Sequence, residues 1–433
     1  MDNPRKLAYE SLIKSDSQSC FTNIEINTVL KRAKMDKCDS SLYTLLYFGV
    51  MEKRLYLDYI IGQYSNTKVE DIDIEAINAI RLGLYQLIFT DRIPDHSAVD
   101  ESVNLAPKRS KGFVNAILRA FLRNKKEVDL PSDVWERTSI ENSVPMELVN
   151  LFRQSYGDDT ALELLQYKST NNDLSLRVNT LKAKGEEIFE ALGERDLEPS
   201  FSKYTRDIIK CKATIGEISD LIDTGKVFIQ DESSRVCSLV LYAKRGDKIA
   251  DVCACPGGKT FSAAIDMENE GEVLSSDLHK NKLSLIEKGA LRLGIDIIKV
   301  REQNAKEYVR EHDGYFDKVL CDVPCSGLGV IFKKPDIKYK SIDSILALPK
   351  IQYDILSNVS KYVKVGGYII YSTCTLCKDE NENNVLKFLE ENKDFEYVDF
   401  SVANISSQNG MYTFFPHING TDGFFIAKLR RVR

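Results

Sequence analysis

The sequence has few histidines and almost no tryptophan: four and one, respectively, in 433 residues. It also lacks long hydrophobic runs. No apolar stretch approaches the ~20 residues that cross a bilayer, and the first residues carry no secretory apolar core. An excess of positive charge is missing too. The formal net charge of -6 argues against a protein that coats nucleic acid indiscriminately, while leaving room for a local basic face. A composition of 43% hydrophobic and 29% charged residues is that of a soluble globular chain, and its length calls for two or three domains. Ten cysteines without a secretory signal imply reduced thiols and a cytoplasmic location.

Residues 1–128 read as helical. Leu42, Leu45, Leu46 and Val50 share one face, as do Ile77, Ile80, Leu84, Leu87 and Ile88; both stripes are expected to be core. Positive charge gathers on the turn and helix with Lys108, Arg109, Lys111, Arg119, Arg123, Lys125 and Lys126. Such a cluster is a solvated face or an RNA-backbone contact, and its density keeps the second reading open. Residues 129–170 read as a linker followed by helices, with Pro131, Ser132, Trp135 and Pro145 in the linker, Val128 to Pro145. A small α+β segment is expected over 171–229, opening with the alternating Leu174–Thr180. From 230 to 433 strands alternate with helices, the signature of a doubly wound, Rossmann-like parallel sheet. Its strands are expected at Lys248–Val252, Gly271–Ser275, Asp296–Val300, Asp317–Cys321 and Tyr368–Ser372.

Ligands bind beyond the carboxyl ends of such strands, and four polar clusters lie there. After the first strand come Cys253, Ala254, Cys255, Pro256, Gly257, Gly258 and Lys259. A glycine pair before a helix lets backbone approach a ligand, although a Pro-Gly-Gly turn is often only a turn. The loop is no P-loop, because Cys253 stands where that motif needs glycine, and it is no GxGxxG fingerprint. Asp277 ends the next strand, where a carboxylate can grip ribose hydroxyls or cap a helix. Gln303 and Asn304 follow the third strand and could meet an adenine edge or simply form a surface loop. Together they describe a nucleoside site without a triphosphate anchor. S-adenosylmethionine suits it, since its sulfonium favours carboxylates such as Asp322.

Two thiols also end strands: Cys325 in Asp322-Val323-Pro324-Cys325 and Cys374 in Ser372-Thr373-Cys374-Thr375. Buried cysteine is commonly a small hydrophobe. Beside a methyl donor, however, a thiolate adding to carbon 6 of cytosine would activate carbon 5, and a second group would then help remove the carbon 5 proton. Zinc or redox chemistry at Cys253-x-Cys255, Cys321-x3-Cys325 or Cys374-x2-Cys377 ranks lower, because no histidine stands near these pairs. No metal is expected.

These motifs resemble the RNA cytosine-5 methyltransferases of the Nol1/Nop2/Sun group. Arg81–Leu87, Pro94–Val99 and Gly112–Arg119 are similar to the NusB-like N-terminal domain of its bacterial Sun/Fmu (RsmB-type) branch. Leu176–Lys182 and Gln230–Ser234 are similar to that branch's middle segment, and Lys334–Ile337, Phe415–His417 and Asp422–Phe425 to its catalytic domain. The resemblance implies methylation of one cytosine of 16S ribosomal RNA, with Cys374 as nucleophile and Cys325 assisting product release. It also implies that Cys253 to Lys259, Asp277, Asn304 and Asp322 bind S-adenosylmethionine, with Asp322 near the cytosine as well. Asn304 stands where the family commonly has aspartate. Without the resemblance the two cysteines cannot be ranked, since DNA cytosine methyltransferases attack from a Pro-Cys pair like Pro324-Cys325. The resulting expectation is a monomeric enzyme acting on ribosomal RNA. Its rivals are the same reaction on transfer RNA and a non-catalytic RNA-binding assembly factor.

Overall fold

The computed structural model describes residues 2–18, 22–168 and 173–433. The boundary expected at 170/171 lies outside them. Contacts divide the chain into one unit of Met1–Tyr167 with Ile331–Ile342, and another of Lys168–Val330 with Asp343–Arg433.

The first unit is helical: α1 (Pro4–Gln18), α2 (Thr22–Arg32), α3 (Lys37–Tyr64), α4 (Ile74–Phe89), α5 (Asp95–Leu105), α6 (Lys111–Arg123), α7 (Val134–Asn142), α8 (Met146–Tyr156) and α9 (Asp158–Gln166). α4 is its axis, with every residue from Ala76 to Leu87 buried. Arg81 within it is neutralised by Asp58 and Asp16, at 2.6 and 2.8 Å, as a buried guanidinium requires. α6 is amphipathic, burying Val114, Ile117, Leu118 and Phe121; each is worth roughly 1.5–3 kcal/mol of burial. Two expectations change here. Leu45 of the α3 stripe is 47% exposed, because it lies at the edge of the buried face. The segment read as a linker contains α7, whose Asp133 N-cap accepts from the Trp135 and Glu136 amides, a strong helix start.

Ile331–Ile342, expected within the catalytic domain, packs with this helical unit. Asp336 accepts from the Thr22 amide, Phe332 meets Tyr167 edge-on, and Arg54 lies 5.3 Å from the Tyr339 ring centre. Buried Lys338 reaches the carbonyls of Glu52 and Asn142; burial outweighs the nearby Glu52 charge and pushes its ammonium down to about 8.

The second unit opens with a four-stranded sheet in the order β2–β3–β1–β4, from β1 (Leu174–Val178), β2 (Ser200–Phe201), β3 (Ile208–Cys211) and β4 (Val227–Ile229). Helices α10 (Gly185–Gly193) and α11 (Ser219–Asp223) accompany it. It is joined to the larger sheet's helices α12 (Glu232–Leu241) and α13 (Gly258–Asp266) by a buried ionic cluster. Arg177 and Arg235 share Asp207 and Asp266, and Asn179 donates to the carbonyls of Gly225 and Leu293. The motif around Arg177 and Asn179 is therefore a structural joint.

The main sheet has eight strands in the order β10–β14–β9–β8–β5–β6–β7, with β13 on β14. β5 (Lys248–Asp251), β6 (Glu272–Asp277), β7 (Ile298–Glu302), β8 (Phe316–Asp322) and β9 (Val363–Thr373) are parallel, as their apolar runs require. Helices α14 (Lys280–Leu293), α15 (Ile342–Leu346), α16 (Leu348–Val359) and α17 (Glu382–Glu391) complete the winding. The parallel expectation needs one addition: β10 (Phe395–Tyr397), β13 (Met411–Phe414) and β14 (Phe424–Arg431) join antiparallel. β11 (Ser401–Val402) and β12 (Ile405–Ser406) pair separately, and α18 (Pro416–Asn419) precedes β14. The chain runs β5, β6, β7 in one direction and then crosses to β8 beside β5. The carboxyl ends of β5 and β8 are thus the topological switch point where ligands bind.

Candidate active site

At that point β5 ends in Asp251, and the chain turns through Gly257 (φ +107°) into α13. A Cβ on Gly257 would fall 2.6 Å from the Phe261 ring, so the turn requires glycine. The loop is tied to both neighbouring strands through Val252 N to Leu320 O and Ala254 N to Ser276 O. Asp251 is buried. One carboxylate oxygen takes the Thr260 hydroxyl at 2.6 Å and the other has no hydrogen-bond partner among the described residues. Burial pushes its carboxyl up to about 7. Asp277, at the end of β6, accepts from the Cys255 amide at 3.3 Å and the His279 amide at 2.9 Å. It joins the glycine loop to the next strand end.

Lys259 Nζ lies 2.7 Å from Asp322 Oδ2 and 4.9 Å from the Phe424 ring centre. Burial works against its charge, but Asp322 more than restores it and holds the ammonium above the usual lysine range. The other Asp322 oxygen accepts from Ser372 Oγ at 2.7 Å. Asp322 is therefore a fixed carboxylate, paired with Lys259 and Ser372. Asn304 is half-buried. Its amide donates to Glu307 and its oxygen accepts from the Lys306 amide, so it shapes its own turn in this structure.

The two thiols converge. Cys325 Sγ and Cys374 Sγ are 3.1 Å apart, and both side chains are only partly buried. Parallel pairing of β8 and β9, with Asp322 opposite Ser372, brings the two strand ends side by side. The loops behind them are locked at backbone level. Gly329 N donates to Cys374 O, and Gly423 N to Gly329 O. A Cβ on Gly329 would stand 2.0 Å from Gly423 O. Below lies Glu380, which is fully buried. It accepts from the Ser326 amide at 2.9 Å and Gln352 Nε2 at 2.8 Å, while Ser326 Oγ and Thr375 Oγ1 are 2.6 Å apart. Burial raises its carboxyl above the normal range. Gln352 also donates to Pro324 O, and Asn381 bonds Thr373 and Thr375. This network pins both cysteine loops to one support. Its hydrogen bond to Cys374, followed by burial, holds the Cys325 thiol well above its ordinary range. Cys325 thus keeps its proton beside Cys374.

Cys253 and Cys321 are likewise pushed up by burial, as is Cys255, to about 12. Among the described residues no three His, Cys, Asp or Glu side chains are grouped to hold a metal.

In the helical unit, Arg109 bonds Asp73 and Glu75, Arg119 bonds Asn115 and approaches Asp100, and Lys126 bonds Asp95. Lys111 has a long contact with Asn104. Lys108, Arg123 and Lys125 are exposed, with no ion pair among the described residues.

Two family models match the chain: the NusB family over residues 2–123 and "16S rRNA methyltransferase RsmB/F" over 238–430. A Bacillus subtilis protein described as a probable ribosomal RNA small subunit methyltransferase B is 35% identical, with 99% of this chain and 98% of that protein covered. A Synechocystis protein of the same description is 31% identical over the full length of both. The chain belongs to the RsmB/F family. Among solved structures, PH0851 superposes with a TM-score of 0.83 over 100% of this chain and 99% of that one, at 25% identity. NSun6 from Pyrococcus horikoshii, solved with the S-adenosylmethionine analogue SFG, gives 0.59 over 67% of this chain and 98% of that one, also at 25% identity.

This RsmB/F member is thus an S-adenosylmethionine-dependent ribosomal RNA small subunit methyltransferase with an N-terminal NusB domain. The site fits the cofactor. A glycine turn open to backbone approach, Asp277 at a neighbouring strand end and the orphaned buried oxygens of Asp251 and Gln303 leave acceptors for a cationic nucleoside. The structure brings together the two cysteines that the sequence singled out, and adds Glu380 and Gln352 behind them, which the sequence did not suggest. Glu380 sits in Lys378-Asp379-Glu380-Asn381-Glu382, which reads as a solvated run.

Proposed function

We propose that the chain methylates carbon 5 of a cytosine in 16S ribosomal RNA through a covalent bond from Cys374 to carbon 6. The observation that carries this reading is the pair of half-buried sulfurs 3.1 Å apart at the switch point. Loss of the Cys374 proton to solvent and addition of its thiolate to carbon 6 make carbon 5 nucleophilic. S-adenosylmethionine, when bound, supplies the methyl group, held by the Cys253–Lys259 loop and Asp277. Asp322, oriented by Lys259 and Ser372, accepts from the cytosine amino group, the usual carboxylate partner of that base edge. In the last step the carbon 6–sulfur bond breaks and carbon 5 releases its proton. Cys325 passes its own proton to the departing Cys374 sulfur and takes the one from carbon 5, so both thiols end neutral. A protonated Cys325 suits this relay. The target base must leave its stack to reach both sulfurs. The reaction belongs in the cytoplasm, where thiols stay reduced.

With labelled S-adenosylmethionine and a 16S transcript, Cys374→Ala should abolish both 5-methylcytosine and the protein–RNA adduct. Cys325→Ala should leave the adduct trapped on a denaturing gel, with turnover down roughly 10²–10⁴-fold. The opposite pattern would exchange the two roles.

A further inference from the structure

The opposite edge of the main sheet, where β5, β8 and β9 begin, holds a second cavity of about 500 Å³. Its size is within the range of small-ligand sites. Lysines dominate its lining. Lys318 is satisfied by Asp247 and the Tyr242 carbonyl, and Lys364 by Asp317 at 2.7 Å. Lys244 and Lys428 have no carboxylate partner among the described residues. Their ammonium groups lie over aromatic rings, Lys244 at 4.6 Å from the centre of Tyr242 and Lys428 at 4.9 Å from that of Tyr368. Burial, then the charge of Lys318, pushes Lys428 below the ordinary lysine range, so an incoming anion would relieve it.

Tyr242 is itself out of place by packing criteria. It ends α12 in the left-handed region (φ 54°, ψ 51°) yet is 64% exposed. Glycine or asparagine is the ordinary choice for that backbone, and burial does not account for the ring. Ammonium groups without a carboxylate partner, beside an exposed tyrosine that Lys244 and Lys318 now cover, are a combination that can hold a nucleotide, the cations moving onto phosphate and the ring taking the base. Asp322 lies four residue steps along β8 from Lys318, roughly 13 Å of strand, so this cavity is distinct from the cysteine crevice.

We infer that this cavity binds a nucleotide of the substrate RNA away from the methylated base, with its phosphate on Lys244 and Lys428 and its base on Tyr242. The inference rests on ribosomal RNA as substrate.

The test measures affinity of the full-length protein for a 16S transcript across salt, with S-adenosylmethionine binding as the check on folding. Lys244→Ala with Lys428→Gln should weaken RNA binding roughly tenfold and reduce the slope of log Kd against log salt by about 0.7–0.9, as expected for one lost phosphate contact. Tyr242→Asn, which keeps the left-handed backbone, should weaken binding roughly fivefold or more with the slope unchanged, because stacking is uncharged. In both variants KM for RNA should rise while kcat at saturating RNA holds. Wild-type affinity and slope in both variants, with S-adenosylmethionine binding intact, would overturn the inference. So would saturation of the cavity by AMP or inorganic phosphate alone without competition against RNA. Methylation of the transcript by the wild-type protein is read separately, so failure here leaves the catalytic reading standing.

Discussion

The two ends of the parallel strands are chemically opposite. At the carboxyl ends the polar groups are acids and thiols, buried and bonded to one another: Asp251 to Thr260, Asp322 to Lys259 and Ser372, Glu380 to Ser326 and Gln352. At the amino ends they are lysines in a more open cavity, only partly matched by Asp247 and Asp317. Burial with extensive hydrogen bonding fixes positions, which bond-making needs. Exposure with surplus charge attracts a polyanion but orients it loosely.

The sharpest way to break this contrast is Gly329→Ala. The new methyl would meet the Gly423 carbonyl at 2.0 Å, and backbone cannot yield as a side chain can. The cysteine loops should shift and methylation fall by roughly 10²-fold or more, measured as initial rate, with S-adenosylmethionine affinity altered far less. Glu380→Ala comes next. It strands the buried Ser326 amide and Gln352 side chain, at roughly 1–3 kcal/mol each, visible as a lower Tm together with reduced turnover; Glu380→Gln should recover part of both.

Asp251 sharpens the comparison through pH. Its folded pKa is about 7 against 3.8 unfolded, so the native state holds a proton that the unfolded chain releases. That contribution is complete below about 3.8 and disappears as pH rises through about 7. Asp251→Asn should remove this component, so that denaturant-measured stability between pH 5 and 8 falls less steeply than in the wild type. The smallest effect belongs to the other end. Lys364→Met breaks an ion pair whose members are 42% and 33% exposed, and stability should change by less than about 1 kcal/mol, with kcat unchanged.

Much of the catalytic end was legible because strand ends announce themselves. A β-branched run followed by Asp-Val-Pro-Cys or Ser-Thr-Cys-Thr places a functional group where ligands bind. What stayed hidden depended on partners remote in sequence. Glu380 and Asn381 look solvent-facing until Gln352, Ser326 and Thr375 arrive around them. α7 was obscured by Pro131 and Pro145, although Ser132-Asp133 followed by Glu136 is a helix-start signal in its own right. Leu45 fitted an apolar period but lay beyond the buried arc of α3. The antiparallel strands β10 and β13 are short and are defined only by pairing with β14, which in turn pairs with β9.

Ile331–Ile342 continues directly from the Cys325 loop, yet its burial is supplied by the helical unit. The two units are consequently not separable by a single cut. A fragment beginning after Tyr167 would carry a tongue of chain with Pro335, Ile337 and Lys338 stripped of their cover, while the isolated helices would lack the piece that fills their groove. Dissecting the protein calls for a graft, with those twelve residues returned to the helical half through a linker.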